Sequence, residues 1–404
     1  MEFPNLRHLR AFKEVAERQS VSAAAEHVHL SQPAVTQAIG GLERRLGVSL
    51  FERRPEGMFA TASGAGFLRR VQRVFELLDR GAAEAVHLAG RKTLPASPGF
   101  VQHVSASQLR ALIGIWETGS FSLAARKIGI SQPSVHRAAR DLEKLAGVAF
   151  YATSSNGIEL TRAGEAFARG GKLAAAELIQ AHDELELEKG QDNTRIVIGS
   201  MPLSRTSILP DAVHQLIHDS PGVQLRTIEG PYDELLRSLR YGELDLLIGA
   251  LRDPVPFDDV TQEALFDDPL SIVVGAGHPL VGCSGVTLAD VMRYPWIAPP
   301  KPTPTGAYLF RTLKIGELAE TPVRIVSSSL VFVRGMLMRG DYVTVMSRHQ
   351  MAVEREQGLL VPLDTPLPDS ARSIGITTRT GWLPTPTQTR FLSLLRQAST
   401  VSYA

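Results

Sequence analysis

Cysteine is nearly absent from this 404-residue sequence: Cys283 stands alone. A single thiol excludes an internal disulfide and a cysteine-rich metal cluster, and Cys283 is expected to be a buried or half-buried small side chain. Long hydrophobic runs are missing too. No stretch approaches the ~18 apolar residues of a membrane helix, and the opening Met1-Glu2-Phe3-Pro4-Asn5-Leu6-Arg7 has no basic-then-apolar signal segment. The cytoplasm is therefore the expected compartment, with no membrane partner. A nucleophile elbow, a phosphate-cradling glycine loop and a histidine pair at metal spacing are likewise lacking. His278, His349 and Asp245 are scattered and read as structural. No catalysis, cofactor or metal is expected.

The chain also lacks net charge, at +1, but this is an average over unlike parts. Residues 1–75 carry 11 Lys/Arg against 7 Asp/Glu, residues 101–176 carry 9 against 5, and residues 193–404 carry 19 against 21. Two basic segments precede a mildly acidic body, as electrostatic attraction to phosphates at one end would require.

What is present is a repeat. Ser31-Gln32-Pro33-Ala34-Val35 returns as Ser131-Gln132-Pro133-Ser134-Val135, Leu9-Arg10-Ala11 as Leu109-Arg110-Ala111, Leu42-Glu43 as Leu142-Glu143, and Thr61 and Gly64 as Thr161 and Gly164. The offset is constant, and about twenty of roughly sixty paired positions are identical, the mark of a duplicated unit. In each copy helical spacing predicts three helices. In the first, Leu6, Leu9, Phe12, Val15 and Ala16 form an apolar face, Ser20 or Ser22 caps the second helix, and Ser31 with Pro33 opens the third. Residues 48–53 and 58–61 then flank a turn, giving a two-strand wing. A long helix follows, with Phe67, Val71, Val74, Phe75, Leu78, Ala82 and Ala85 in a stripe that needs a partner helix. The acidic run at residues 183–188, ending the second long helix, reads as a solvated face.

If Val35, Ala38 and Ile39 face inward, Ser31, Gln32 and Pro33 lead a helix whose outer face carries Thr36 and Gln37. Glutamine pairs with adenine edges in the major groove, and threonine reaches base edges or a thymine methyl. In the second copy Ser131, Gln132 and Pro133 lead a helix that presents His136, Arg137 and Arg140, for which guanine is the natural partner. Arg53 and Arg54 can enter a minor groove from the first wing; the second has Thr153 and Ser154 there. The alternative for the second copy is a structural or dimerising unit.

These residues carry a family resemblance. The Ser-Gln-Pro helix, the following Leu-Glu, Leu46-Gly47-Val48-Ser49-Leu50-Phe51-Glu52-Arg53 and the later Gly64 resemble the DNA-binding head of LysR-type transcriptional regulators. That family has one head, whereas this chain has two before its C-terminal part. The resemblance implies a small-molecule effector domain at residues 193–404, an α/β body like periplasmic binding proteins. Alternating strands and helices there predict a mostly parallel sheet. Residues 330–350, with Met346-Ser347-Arg348-His349-Gln350, look most like the branch that includes the galactose-binding-protein regulator, which points to a sugar, a sugar acid or a small catabolic acid.

The expected architecture is two tandem all-α winged helix-turn-helix domains followed by an α/β effector domain of two subdomains. The segments are 1–66, a linker or dimerisation helix at 67–89, a flexible linker at 90–104, the second head at 105–166, a second linker helix at 167–192, and the body. The body divides into subdomain I (about 193–267 and 373–404) and subdomain II (about 268–372). Carried over from the family, the effector site falls at Ser204 and Arg205 after the first strand, Glu229 and Tyr232 after the second, Lys301, Thr303 and Thr305 on a later loop, and Ser328 and Ser329 at the crossing. Hydroxyls and backbone N–H groups at helix starts suit hydroxylated or carboxylate ligands. An arginine clamp on a carboxylate is not assured, because Ala250 stands where relatives often have arginine; this tilts the expectation toward a polyhydroxy ligand. Double-stranded DNA and a small-molecule effector are the expected partners, in a homodimer or homotetramer. Whether two heads in one chain replace the two heads of a dimer stays open.

Overall fold

The computed structural model describes residues 3–90, 99–155, 157–201, 206, 208–318 and 320–401. Two compact units emerge, Met1–Thr194 with Tyr241–Glu243, and Arg195–Arg240 with Leu244–Ala404.

The first unit repeats one element order. Helices α1 (Leu6–Arg18), α2 (Val21–His27) and α3 (Gln32–Leu46) lead to the hairpin β1 (Phe51–Arg54) and β2 (Gly57–Ala60), then to the long helix α4 (Ala62–Ala89). The second series is α5 (Ala106–Thr118), α6 (Phe121–Ile128), α7 (Gln132–Ala146), β3 (Tyr151–Ser154), β4 (Gly157–Leu160) and α8 (Arg162–Glu188). Local chemistry sets each boundary. Ser31 and Ser131 cap α3 and α7 through the backbone N–H of Ala34 and Ser134, with proline in the first turn and a left-handed glycine, Gly47 or Gly147, at the end. Thr61 and Thr161 cap α4 and α8 by accepting from Gly64 N and Gly164 N, and donate to Ser49 O and Ala149 O at 2.8 Å. Glycine is needed at the cap: a Cβ on Gly64 would lie 2.0 Å from Leu50 O, and one on Gly164 2.2 Å from Phe150 O.

The stripe on α4 finds its partner in α8, and the two run antiparallel: Ser63 meets Glu188, Arg70 meets Glu177, and Glu84 meets Arg169. Glu184 bonds Arg70 and Leu185 is buried, so the acidic run is partly interface and not simply a solvated face. The expected linker differs as well. Residues 91–98 lie outside the described residues, but Phe100–His103 forms a 3₁₀ turn with Phe100 and Val101 buried, Phe100 edge-on to Phe167.

The second unit holds two five-stranded sheets. Its elements run β5 (Arg195–Ser200), α9 (Ile208–Asp219), β6 (Gln224–Ile228), α10 (Tyr232–Arg240), β7 (Leu246–Ala250), β8 (Val260–Asp268), β9 (Leu270–Gly275), α11 (Leu288–Val291), β10 (Trp296–Ala298), α12 (Pro304–Ala307), β11 (Val323–Val326), α13 (Leu330–Leu337), β12 (Val343–Ser347), α14 (Ala352–Glu356), β13 (Leu360–Leu363), β14 (Arg372–Arg379) and α15 (Pro386–Val401). The sheet orders are β6-β5-β7-β14-β8 and β11-β10-β12-β9-β13. The sheets are mixed, not mostly parallel. β5 pairs parallel with β6 and β7, and β10 with β11 and β12, while β14 and β9 pair antiparallel with both their neighbours. β9 follows β8 after one residue and β14 returns from the second sheet to the first, so neither is a helix-linked parallel addition. The edge strands β8 and β13 escape a reading by hydrophobicity because β8 is mostly polar and β13 contains Pro362. Cys283 is exposed, contrary to expectation, on the turn after Pro279.

Candidate nucleic-acid interface and effector cavity

In α3, Val35, Ala38 and Ile39 are buried, while Ser31, Gln32, Pro33, Thr36 and Gln37 are exposed. In α7, Val135 and Ala139 are buried, while Ser131, Gln132, Pro133, His136, Arg137 and Arg140 are exposed. The two faces differ in detail. Gln32 Nε2 donates to Ser22 Oγ. His136 packs on Phe121 at 5.1 Å, and Arg140 pairs with Glu143 at 2.8 Å. Arg53 and Arg54 are exposed on β1, with Arg54 beside Glu52 and over the Phe59 ring.

A pair of residues not singled out in the sequence as functional ties each helix to its hairpin. Glu43 Oε1 accepts from Leu50 N at 2.8 Å and Phe51 N at 3.3 Å; Glu143 Oε1 accepts from Phe150 N at 2.9 Å and Tyr151 N at 3.2 Å. The repeated Leu-Glu is thus a latch that sets the angle between α3 or α7 and its wing. Its signal was the recurrence of a charged residue beside a buried leucine.

In the second unit, a cavity of about 120 Å³ is lined from both sheets, among others by Met201, Ala250, Pro299, Leu330, Val333 and Met346. Its polar lining includes Thr303, Thr305, Ser327, Ser328, Gln350 and Arg372. Of the expected effector residues the cavity gathers Thr303, Thr305 and Ser328. Thr303 caps α12, accepting from Gly306 N at 3.0 Å. Glu229, Tyr232, Lys301 and Ser329 are not among its lining. Tyr232 lies under Arg252, whose guanidinium carbon is 4.0 Å from the ring centroid, and Lys301 Nζ is 4.7 Å from the Phe310 ring centroid. Ser329 caps α13 through Phe332 N. Ser204 and Arg205 lie outside the described residues.

Arg372, absent from the sequence reading, brings a charge to this cavity. Its Nη1 donates to Thr305 Oγ1 and its Nη2 to Asp268 Oδ2, both at 2.6 Å. Burial lowers its pKa from the ordinary arginine value, and Asp268 opposes that shift. Asp268 is 0% exposed and also accepts from Ser347 Oγ at 2.6 Å, with His349 Nδ1 2.9 Å away. Arg372 Nε is buried with no hydrogen-bond partner among the described residues. Among the described residues no group of three potential metal ligands occurs, and no helix is long and apolar enough to cross a membrane.

Comparison with known proteins places this geometry. The model of the LysR substrate binding domain matches residues 189–400, and that of the bacterial regulatory helix-turn-helix protein, lysR family, matches residues 6–65 and 106–165. The chain belongs to the LysR family of transcriptional regulators, which join a DNA-binding head to an effector-binding domain. It is 34% identical to the HTH-type transcriptional regulator GalR of Pseudomonas putida over 99% of this chain and 98% of that one. The regulator PcaQ of Agrobacterium fabrum is 27% identical over 74% of this chain and 96% of its own. A full-length OxyR variant from Pseudomonas aeruginosa shares the fold, with a TM-score of 0.52 at 24% identity over 73% of this chain and 94% of that one.

Proposed function

We propose that this regulator carries two winged helix-turn-helix heads, both of which read double-stranded DNA. The observation that carries this reading is the repetition of one device: a serine-capped helix with an exposed polar face, latched by a glutamate to a hairpin, at Ser31–Phe51 and at Ser131–Tyr151. Thr36 and Gln37 suit adenine and thymine edges, and Arg137 and Arg140 suit guanine. Arg53 and Arg54 add a minor-groove or phosphate contact to the first head only. Footprinting of the full chain on the DNA just upstream of its own gene tests this. Thr36→Ala with Gln37→Ala is expected to shorten protection at one end, and Arg137→Ala with Arg140→Ala at another. Loss with the first pair alone would reduce the second head to a structural unit, a reading its cation-free wing favours.

The heads and their helices occupy the boundaries 1–66, 67–89, 105–166 and 167–192, and the body its two subdomains, about 193–267 with 373–404 and about 268–372. The effector sits between these subdomains, in the cavity of Thr303, Thr305, Ser328 and Arg372. Arg372 shifts the preferred ligand from a neutral polyhydroxy compound toward a sugar acid or small catabolic acid, since a guanidinium N–H without a partner suits a carboxylate. A panel of sugar acids and small carboxylic acids, each at 1–10 mM on the order of a hundred times Kd, should raise stability by about 2.7 kcal/mol. If neutral sugars alone do so, the acid preference is wrong. Substitution of Glu229, Tyr232, Lys301 or Ser329, which do not line the cavity, weakens binding less than that of Thr305; Ser204 and Arg205 are effector residues on the family resemblance alone. We assign the chain to the cytoplasm, where its DNA is, as a homodimer or homotetramer.

A further inference from the structure

The antiparallel pair α4 and α8 obeys the same offset as the repeat. The contact of Arg70 with Glu177 has as its counterpart the contact of Leu77 with Gly170, and Leu77 O does lie against Gly170. The helices are thus related by a pseudo-twofold axis near Phe75 and Ala175. The residues on the two sides of that axis are not alike. On one side Arg70, 3% exposed, donates through Nη1 to Glu177 Oε2 at 2.7 Å and Gln180 Oε1 at 2.9 Å, and through Nε to Glu184 Oε2 at 3.1 Å. Glu177 and Gln180 are buried as well. On the other side the counterparts are Gly170, Leu77, Arg80 and Glu84. There the backbones approach closely: a Cβ on Gly170 would lie 2.8 Å from Leu77 O and 3.2 Å from Gly81 Cα.

We propose that Arg70 with Glu177, Gln180 and Glu184 is a pairing key that makes α4 select α8 of the same chain and refuse a second copy of itself. Duplicated helices carry an inherent ambiguity, because each could pair with its own copy in another chain. In an α4–α4 pair of this geometry, Arg70 would face Leu77, Arg80 and Glu84. Glu84 would stand in for Glu184, but Arg70 would lose the buried Glu177 and Gln180, gain a like charge at Arg80, and stand where only Gly170 fits. In an α8–α8 pair, Glu177 would face Gly170 and be a buried carboxylate without a cation. A buried charge that loses a buried partner destabilises the pairing, so both alternatives are disfavoured, while the pair itself serves specificity more than stability. The outcome is a fixed couple of unlike heads in every chain, related by a pseudo-twofold. Resting on the two-head reading above, this predicts half-sites inverted in orientation and unequal in sequence; the pairing key itself is tested without DNA.

The test uses the full chain carrying Cys283→Ser, and two cysteine pairs. Glu84→Cys with Arg169→Cys reports α4–α8 pairing, because Arg169 donates to Glu84. Arg69→Cys with Glu84→Cys reports α4–α4 pairing, because Arg69 is the repeat counterpart of Arg169. Under mild oxidation the first pair is expected to close within single chains, seen as a faster-migrating monomer on a non-reducing gel, and the second to give no covalent dimer. Adding Arg70→Leu and Glu177→Leu to the second pair should bring covalent dimers up at least tenfold. Three results overturn the proposal: dimers from the second pair with the key intact, no rise when the key is removed, or chain-to-chain linkage from the first pair. Should the leucine variant not fold, charge reversal decides. Arg70→Glu alone should abolish single-chain closure of the first pair, and Arg70→Glu with Glu177→Arg should restore it; unchanged closure in the single variant overturns the key.

Discussion

Replacing Glu43 with alanine deletes an acceptor that holds two backbone N–H groups, those of Leu50 and Phe51, both in buried residues. Hydrogen bonds to a charged acceptor contribute about 1.5–3 kcal/mol each, and an unsatisfied buried donor costs about 1–3 kcal/mol. The second bond is long, at 3.3 Å, so it counts for less. A loss of about 2–4 kcal/mol follows, which for the whole compact unit of Met1–Thr194 with Tyr241–Glu243 lowers the melting temperature by about 5–15 °C. Glu143→Ala makes an internal control, since Glu143 accepts at 2.9 and 3.2 Å from the equivalent pair, Phe150 and Tyr151. The two variants should lose similar stability but different DNA contacts. Glu43→Gln keeps an acceptor and should recover roughly half of the loss, because neutral acceptors are about half as strong as charged ones. The assays are thermal melting followed by circular dichroism, and footprinting of each variant. If Glu43→Ala melts within a degree of the parent and protects the same DNA, the latch does not set the wing and the reasoning fails.

Other outcomes are open to direct measurement. Gly64→Ala and Gly164→Ala push a Cβ to 2.0 and 2.2 Å from a carbonyl oxygen; each should cost at least 2 kcal/mol by the order of magnitude for overpacking, read as a lower melting temperature, and a neutral result would show that the cap can open. Asp268→Ala strips the half-buried Arg372 of its ion-pair partner, with an expected loss of about 2–3 kcal/mol, below the figure for a fully buried pair, confined to the second unit; proteolysis should then cut the body and spare the N-terminal unit. Burial lowers the His278 pKa, against an opposing pull from Asp341. A depressed histidine stabilises the fold above its unfolded pKa of about 6.5 and loses that stability as pH falls through the folded value. His278→Gln should therefore flatten the fall in melting temperature between pH 7 and pH 5, and an unchanged slope would refute the assignment.

Much of the heads was legible because their signals are local. The inward Val35, Ala38 and Ile39, the caps at Ser31 and Ser131, and the turns at Gly47 and Gly147 depend on spacing along one helix, and period and capping chemistry are written in the chain. In the body, the buried strands were legible where apolar runs are continuous, as in Leu246–Ala250 and Leu270–Gly275. The edge strands β8 and β13 were not, because an edge tolerates polar residues and proline. The candidate effector residues were legible only as loop positions, and the cavity took up three of them.

By itself the sequence determined that one N-terminal unit is repeated ahead of an α/β body, that each copy exposes a particular polar helix face, and that two long helices need partners. Tertiary structure decided which partner each takes. Arg70 lies 107 positions from Glu177 and 114 from Glu184, and Arg372 lies 104 from Asp268. No periodicity links such residues. A guanidinium withdrawn from water, as at Arg70 and in part at Arg372, is stable only where a distant carboxylate meets it, and that meeting exists only once the helices and sheets have packed.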